Sequence, residues 1–331
     1  MSDEPGSGVG AGQRSGVSDE PGTTVDASRR GGITVPFLHD RLHGLIQRYK
    51  QESYAGYLLA GPYLFYMLLF FFVPIGYIFL VSFYQNVPAG TMEPAFTLEN
   101  YIRFFTTPQY LNALYVTVEI SVISTVFTIV VSYPIAYFIV FANWRYSEVL
   151  VLLVIAPMLV GNVVRAFGWF ALMGSSGVIN QVLGVFGVQY TLLNTMPGMV
   201  IAISSVLMPF AVLILMSVLY TMDTDLIDAA YNLGSNRLQT FLYVTFPLSL
   251  PGVIGATLIA FVLTMGTFAT AVFIGEPNIR MLAPVIYRTT SRDLNWAFAA
   301  AMSFILLAVS LLLVYLYTVV TSRNQPEGSG I

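Results

Sequence analysis

Six apolar runs of membrane-crossing length dominate this chain: Tyr57–Phe83, Leu111–Phe141, Glu148–Phe170, Pro197–Tyr220, Leu250–Ile274 and Trp296–Thr321. About 20 apolar residues carry a helix across the hydrocarbon of a bilayer. In hydrocarbon every backbone N–H and C=O must be satisfied internally, which leaves helices or a closed barrel. Runs this long predict an all-α membrane protein with six crossings. Of 331 residues, 56% are hydrophobic and 9% are charged, against about 25% charged in a typical soluble domain. So few charges cannot solvate a globular surface, which excludes an ordinary soluble enzyme. Tyr54, Tyr57, Trp144, Tyr146, Trp296, Tyr315 and Tyr317 lie near the predicted span ends, where aromatic rings favour the membrane–water interface.

The charge is unevenly placed. Six of the 14 Lys and Arg and six of the 17 Asp and Glu precede residue 51. Residues 1–34 are polar and repeat Ser2-Asp3-Glu4-Pro5-Gly6 as Ser18-Asp19-Glu20-Pro21-Gly22. Such a segment cannot bury enough apolar surface to offset chain entropy and reads as a disordered tail. It lacks the charged start and apolar stretch of a secretory signal. In residues 35–53, Leu38, Leu42, Leu45, Ile46 and Tyr49 recur at helical spacing, with Arg41, Arg48 and Lys50 elsewhere on the wheel. That pattern suits an amphipathic helix lying in the bilayer interface. The membrane-spanning body then occupies 54–321, and 322–331 form a polar C-terminal tail.

Several chemistries are excluded. There is no cysteine, hence no disulfide, thiolate nucleophile or cysteine metal site. The only histidines form His39-Asp40-Arg41-Leu42-His43, the spacing of a zinc helix with Asp in place of the general-base Glu. A catalytic zinc needs a third protein ligand, and none stands nearby, so no metal site is expected. The only lysine, Lys50, precedes Gln51, so there is no P-loop. With no His or Cys in the body and no clustered carboxylates, no catalytic set is visible, and no nucleic-acid partner is expected.

The segment 221–249, between runs four and five, is unlike a plain connection. Asp223, Thr224 or Asp225 can cap a helix start, and Asp228 is read as adding negative charge in the first turn. Gly234 suits the left-handed residue that ends a helix. Ser235 or Asn236 can cap a second helix, which Pro247 and Pro251 are expected to stop. Ala229 and Ala230 leave a low-relief surface open to close approach by another protein.

The spacing Asp228-Ala229-Ala230, Gly234, Val244, Phe246, Pro247 resembles the "EAA" loop of ABC-transporter permeases, with Asp for the usual Glu and Val and Phe for the usual Ile and Leu. A finer resemblance covers roughly 57–321. Arg165-Ala166-Phe167-Gly168-Trp169, with Gly177-Val178-Ile179-Asn180, is similar to spermidine/putrescine permeases of the first-subunit type. So are Ser132-Tyr133-Pro134-Ile135-Ala136-Tyr137 and Phe246-Pro247-Leu248-Ser249-Leu250-Pro251-Gly252. The resemblance implies a type I ABC importer permease, non-catalytic itself, whose 221–249 loop is cytoplasmic and docks on an ATPase. Asp228, Ala229, Ala230, Gly234 and Pro247 are then the ATPase-coupling residues. The implied partners are a second permease, a dimer of ABC ATPases holding ATP and Mg, an extracytoplasmic substrate-binding protein and the lipid bilayer. Polyamine import is the implied function. Permeases for aminophosphonate, iron or thiamine share much of the pattern, and a stand-alone secondary transporter is the reading from another class. The implied location is the prokaryotic inner membrane with both termini cytoplasmic. The basic residues beside the spans, six against four, favour that orientation weakly.

Polar groups in the spans complete the candidate list. Glu119 is costly in a bilayer unless it meets water, a partner or a proton. It could line the pathway, pair with Arg165 or with a second permease, or reach the outer headgroups. Arg165 would repel a polyamine unless paired, and is read as structurally paired. Trp169 offers a cation–π face or an interface anchor. Asn162 and Thr264 line the pathway or bond between helices.

Overall fold

A computed structural model describes residues 54–87, 91–142, 146–187 and 190–323. The tail 1–34, the amphipathic segment 35–53 and residues 324–331 lie outside the described residues. The chain divides into two compact units, 1–68 and 69–331. The described part of the first is the start of α1 (Tyr54–Val81). The remaining architecture belongs to the second.

After α1 comes a short antiparallel hairpin, β1 (Gln85–Val87) and β2 (Thr91–Glu93), with Gln85 opposite Glu93. Then follow α2 (Glu99–Thr106) and the long α3 (Pro108–Phe141). Next are α4 (Ser147–Ile155), a 3-10 turn (Ala156–Leu159), α5 (Asn162–Met173), α6 (Val178–Val185) and α7 (Met196–Tyr220). The 221–249 segment holds α8 (Thr224–Asn232) and α9 (Arg237–Thr240), which runs through a π turn into α10 (Phe246–Met265). A second π turn (Ala271–Gly275), α11 (Leu282–Ser291) and α12 (Trp296–Arg323) close the order.

The centre is the trio α3, α7 and α10. Lipid tails are as apolar as leucine, so membrane helices associate through close packing and hydroxyl bonds. Helix α3 buries Thr117, Ser121, Ser124, Thr125, Thr128 and Ser132. Thr117 Oγ1 bonds the Ala113 carbonyl and accepts from the Leu282 N–H at 2.8 Å, tying α11 to α3. Ser204 Oγ donates to the Ser124 carbonyl at 3.2 Å. The Tyr133 and Ser249 hydroxyls meet at 2.7 Å. Gly252 of α10 lies against Val218 so closely that a Cβ there would stand 2.9 Å from the valine Cβ and Cγ2.

Among the described residues, five helices are long and apolar enough to cross a membrane alone, and the count reaches six when one sharply bent helix pair is taken as a single span. The expected third span, Glu148–Phe170, is therefore not one helix: Ser147–Leu159 and Asn162–Val185 meet at 99°. Pro157 lacks an N–H, and Gly161 adopts φ −56, ψ 143, outside the helical region. The expected fifth span, Leu250–Ile274, is also corrected. The crossing helix begins at Arg237 and ends at Met265. Pro247 and Pro251 do not stop it. A π turn at Phe241–Thr245 absorbs the loss of the Pro247 N–H. The Ser249 hydroxyl donates to the Phe246 carbonyl within the first turn of α10.

Candidate functional site

Segment 223–240 forms an exposed elbow. The Asp223 carboxylate accepts from the Asp225 N–H at 3.0 Å, capping α8. Asp225 is the acid of the first turn; Asp228 stands a full turn later, so its expected first-turn place is corrected. Helix α8 ends in the left-handed cap that glycine allows. Gly234 has φ +89, its N–H bonds the Tyr231 carbonyl, and the Ser235 N–H bonds the Ala230 carbonyl, which is the Schellman pattern. Asn236 then opens α9. Its Oδ1 accepts from the Gln239 N–H at 2.8 Å, and Gln239 Oε1 accepts from the Asn236 N–H at 3.0 Å. These two bonds make a reciprocal capping box. The elbow thus satisfies its backbone within itself.

Its outer surface is open. Asp228, Ala229 and Gly234 are exposed, whereas Ala230 is 8% exposed and packs on its own chain. A Cβ on Gly234 would meet nothing within 4 Å, so a side chain there would project outward. Leu233, at the tip, is 88% exposed. Sequence reasoning missed it; the only local signal is an apolar residue beside a helix-ending glycine. Pro247 is exposed at the first turn of α10.

The elbow is anchored by rings rather than charges. Phe241 packs edge-on against Tyr133 and Tyr137, with centroids 5.7 and 5.6 Å apart, and Phe246 lies 5.7 Å from Tyr133. A cleft of about 1040 Å³ opens between the end of α3, α8 and α9, lined by Tyr137, Phe141, Asp228, Tyr231, Arg237 and Phe241. Burial of such rings contributes on the order of 1 kcal/mol per pair beyond area. These rings join the segment after α9 to α3 and to the start of α10.

The remaining candidates do not converge on one site. Glu119 is half-buried on α3 and, by helical spacing, shares the outward face of Tyr115, Val122 and Val126. Of the alternatives open to it, a pair with Arg165 is not formed: the one ion pair among the described residues joins Glu276 and Arg288. Arg165 and Asn162 line a cavity of about 480 Å³ with α7 and the end of α10. The expected structural pairing of Arg165 is likewise not made among the described residues, where its Nε and Nη1 are buried without a partner. Trp169 donates its indole N–H to Ser205 Oγ at 2.7 Å and packs on the core, so it ties α5 to α7. Thr264 is fully buried, its hydroxyl bonded to the Ala260 carbonyl at 2.8 Å.

Residues 120–325 match the model of the binding-protein-dependent transport system inner membrane components, and the chain belongs to that family. It is a membrane permease subunit of a binding-protein-dependent importer. It is 29% identical over 254 residues to the spermidine/putrescine transport system permease protein PotB of Haemophilus influenzae, covering 76% of this chain and 88% of that one. It is equally identical to PotB of Escherichia coli K12, with 92% of that chain covered. It is 24% identical over 231 residues to a putative 2-aminoethylphosphonate transport system permease protein, PhnU, of Salmonella typhi, covering 69% and 80%. The fold matches a bacterial ABC transporter for import of the acidic polysaccharide alginate, with TM-score 0.68, 18% identity, and 85% and 99% of the two chains covered.

Proposed function

We propose that this chain is one of two permeases in an ATP-driven polyamine importer. The observation that carries the mechanical half of this reading is the elbow. It is capped by its own residues, bare on the outside, and joined by aromatic packing to two spanning helices. In this reading, 221–249 and both termini face the cytoplasm. Asp228, Ala229, Gly234 and the exposed Leu233 enter a cleft on one subunit of an ATPase dimer. Ala230 packs the elbow from within, and Pro247 stands exposed where the segment enters α10. ATP and Mg bind in those partners. Closure of the ATPases displaces α8, and the aromatic contacts carry the displacement to α3 and α10. The two permeases rock from inward-open to outward-open, and a docked extracytoplasmic binding protein releases its cargo between them.

The polyamine assignment rests on similarity to the PotB proteins over three quarters of the chain. The PhnU relative supports a second reading, an aminophosphonate cargo. Uptake of labelled spermidine by the complete transporter, competed by aminoethylphosphonate, decides between them. Entry of labelled aminoethylphosphonate, with no spermidine entry, overturns the polyamine reading. Co-purification of an ATPase that is lost on Gly234→Arg supports the coupling role; solute transport by the chain alone rejects it.

A further inference from the structure

Among the described residues, one break between helices and one helix end open onto a single cavity. The first is the extended Val160–Gly161 step before α5. The second is the irregular stretch after Met265, where α10 ends at Gly266. Asn162 and Arg165 come to the cavity from the first break; Gly266, Thr267 and Phe268 come from the second, with Ile203, Leu207 and Phe210 of α7 between them. Non-helical backbone at membrane depth is tolerated only where it is buried in protein or lines a wet cavity.

Arg165 is the only charged group lining this cavity. Its Nε and Nη1 are shut off from solvent and bond to nothing among the described residues. A guanidinium stays charged in proteins and carries five donors in a fixed fork. An intramembrane cation without an anion is costly. The acids of the described chain lie elsewhere. Glu119 is on the outward face of α3 and makes no ion pair, and Glu276 is taken by Arg288. A polycationic cargo cannot supply the missing charge.

We propose that the Arg165 cavity is a receptor for a carboxylate side chain of the second permease, forming an ion pair across the permease–permease interface. The inference rests on the two-permease reading above. Asn162 supplies an amide beside the guanidinium for the second carboxylate oxygen. The cavity is larger than one carboxylate needs, so an acidic side chain can enter and leave as the subunits rock.

The test uses the complete transporter. If the unaltered chain retains no second permease, the proposed function fails, whatever Arg165 does. If it does retain one, Arg165→Gln and Arg165→Glu are expected to weaken that retention roughly 30-fold or more, as loss of one member of a buried charge pair does. Arg165→Lys keeps most of it. The thermal unfolding of the chain alone in detergent is expected to be unchanged by Arg165→Gln, because no internal bond is lost. Suppressors of Arg165→Glu, screened with a split reporter fused to the two permeases, should convert an acidic residue of the second permease into a neutral or basic one. Suppressors confined to this chain point to an internal partner and overturn the inference. So does a complex that assembles normally with Arg165→Gln but changes its cargo preference, which would place the anion on the cargo.

Discussion

The elbow at 223–240 and the seam between α3, α7 and α10 solve the same problem by opposite means. Each must satisfy backbone and polar groups where helices begin, end or touch. In the elbow the donors and acceptors lie within a few residues of one another: Asp223 with Asp225, Asn236 with Gln239, Ser235 with Ala230. In the seam the partners are far apart in the chain: Tyr133 with Ser249, Ser124 with Ser204, Thr117 with Leu282. A locally closed structure keeps its shape when pushed and can present an outer face that owes nothing to the bundle. A seam of long-range contacts instead fixes where the helices sit. An importer subunit that receives force at one place and moves at another needs both.

The sharpest way to break this comparison is a change that loads the elbow's outer face and strains only its glycine cap. Gly234→Arg adds a side chain into open space and places an L-residue in the left-handed region at a cost of about 1–2 kcal/mol. Uptake should fall by roughly tenfold or more if docking is blocked, since crowding or charge at an interface core costs more than about 1.4 kcal/mol. The melting transition of the bundle should move only slightly. Uptake that survives would separate the elbow from coupling. The converse change is Gly252→Leu, which forces atoms into Val218. Overpacking of this kind costs about 1–3 kcal/mol, read as a lowered melting temperature of the purified chain, with the elbow's caps untouched.

The same contrast governs what could be read in advance. The caps at Asp223 and Asn236 and the left-handed Gly234 were legible because each depends on neighbours in sequence. The bend at Val160–Gly161 was not, because an apolar run containing Pro157 and Gly161 has the composition of an unbroken span. The start of the fifth crossing at Arg237 was hidden by Pro247 and Pro251, since the π turn that accommodates them leaves no pattern in hydropathy. Trp169 was read as a cargo or interface group because its bond to Ser205, 36 residues away, is a product of tertiary packing. Arg165 and Glu119 were recognisable as costly charges, but the sequence could not place them on separate faces.

Within the elbow, Asn236→Ala removes the side-chain half of the capping box. Loss of such a cap costs about 1 kcal/mol, so protease sensitivity near 232–240 should rise and coupling should weaken only modestly. If uptake were instead abolished, Asn236 would have a contact on the partner as well as its cap.

The smallest effect tests whether the seam's long-range bonds act as pairs. The Tyr133 and Ser249 hydroxyls lie 2.7 Å apart in the buried interface of α3 and α10, and Ser249 also bonds its own helix at the Phe246 carbonyl. That local alternative is why the expected coupling is small. When Tyr133→Phe removes one hydroxyl, Ser249 keeps a partner and no group is stranded. Hydroxyl and amide bonds between membrane helices average about 0.6 kcal/mol in double-mutant cycles. Tyr133→Phe, Ser249→Ala and the double variant, compared by unfolding in mixed detergent and denaturant, should give a coupling of about that size. A coupling of zero would mean that the ring packing of Tyr133 with Phe241 and Phe246 alone holds the elbow to α3. A coupling above about 2 kcal/mol would mean that the hydroxyl pair, rather than the rings, is what a displaced α8 pulls against.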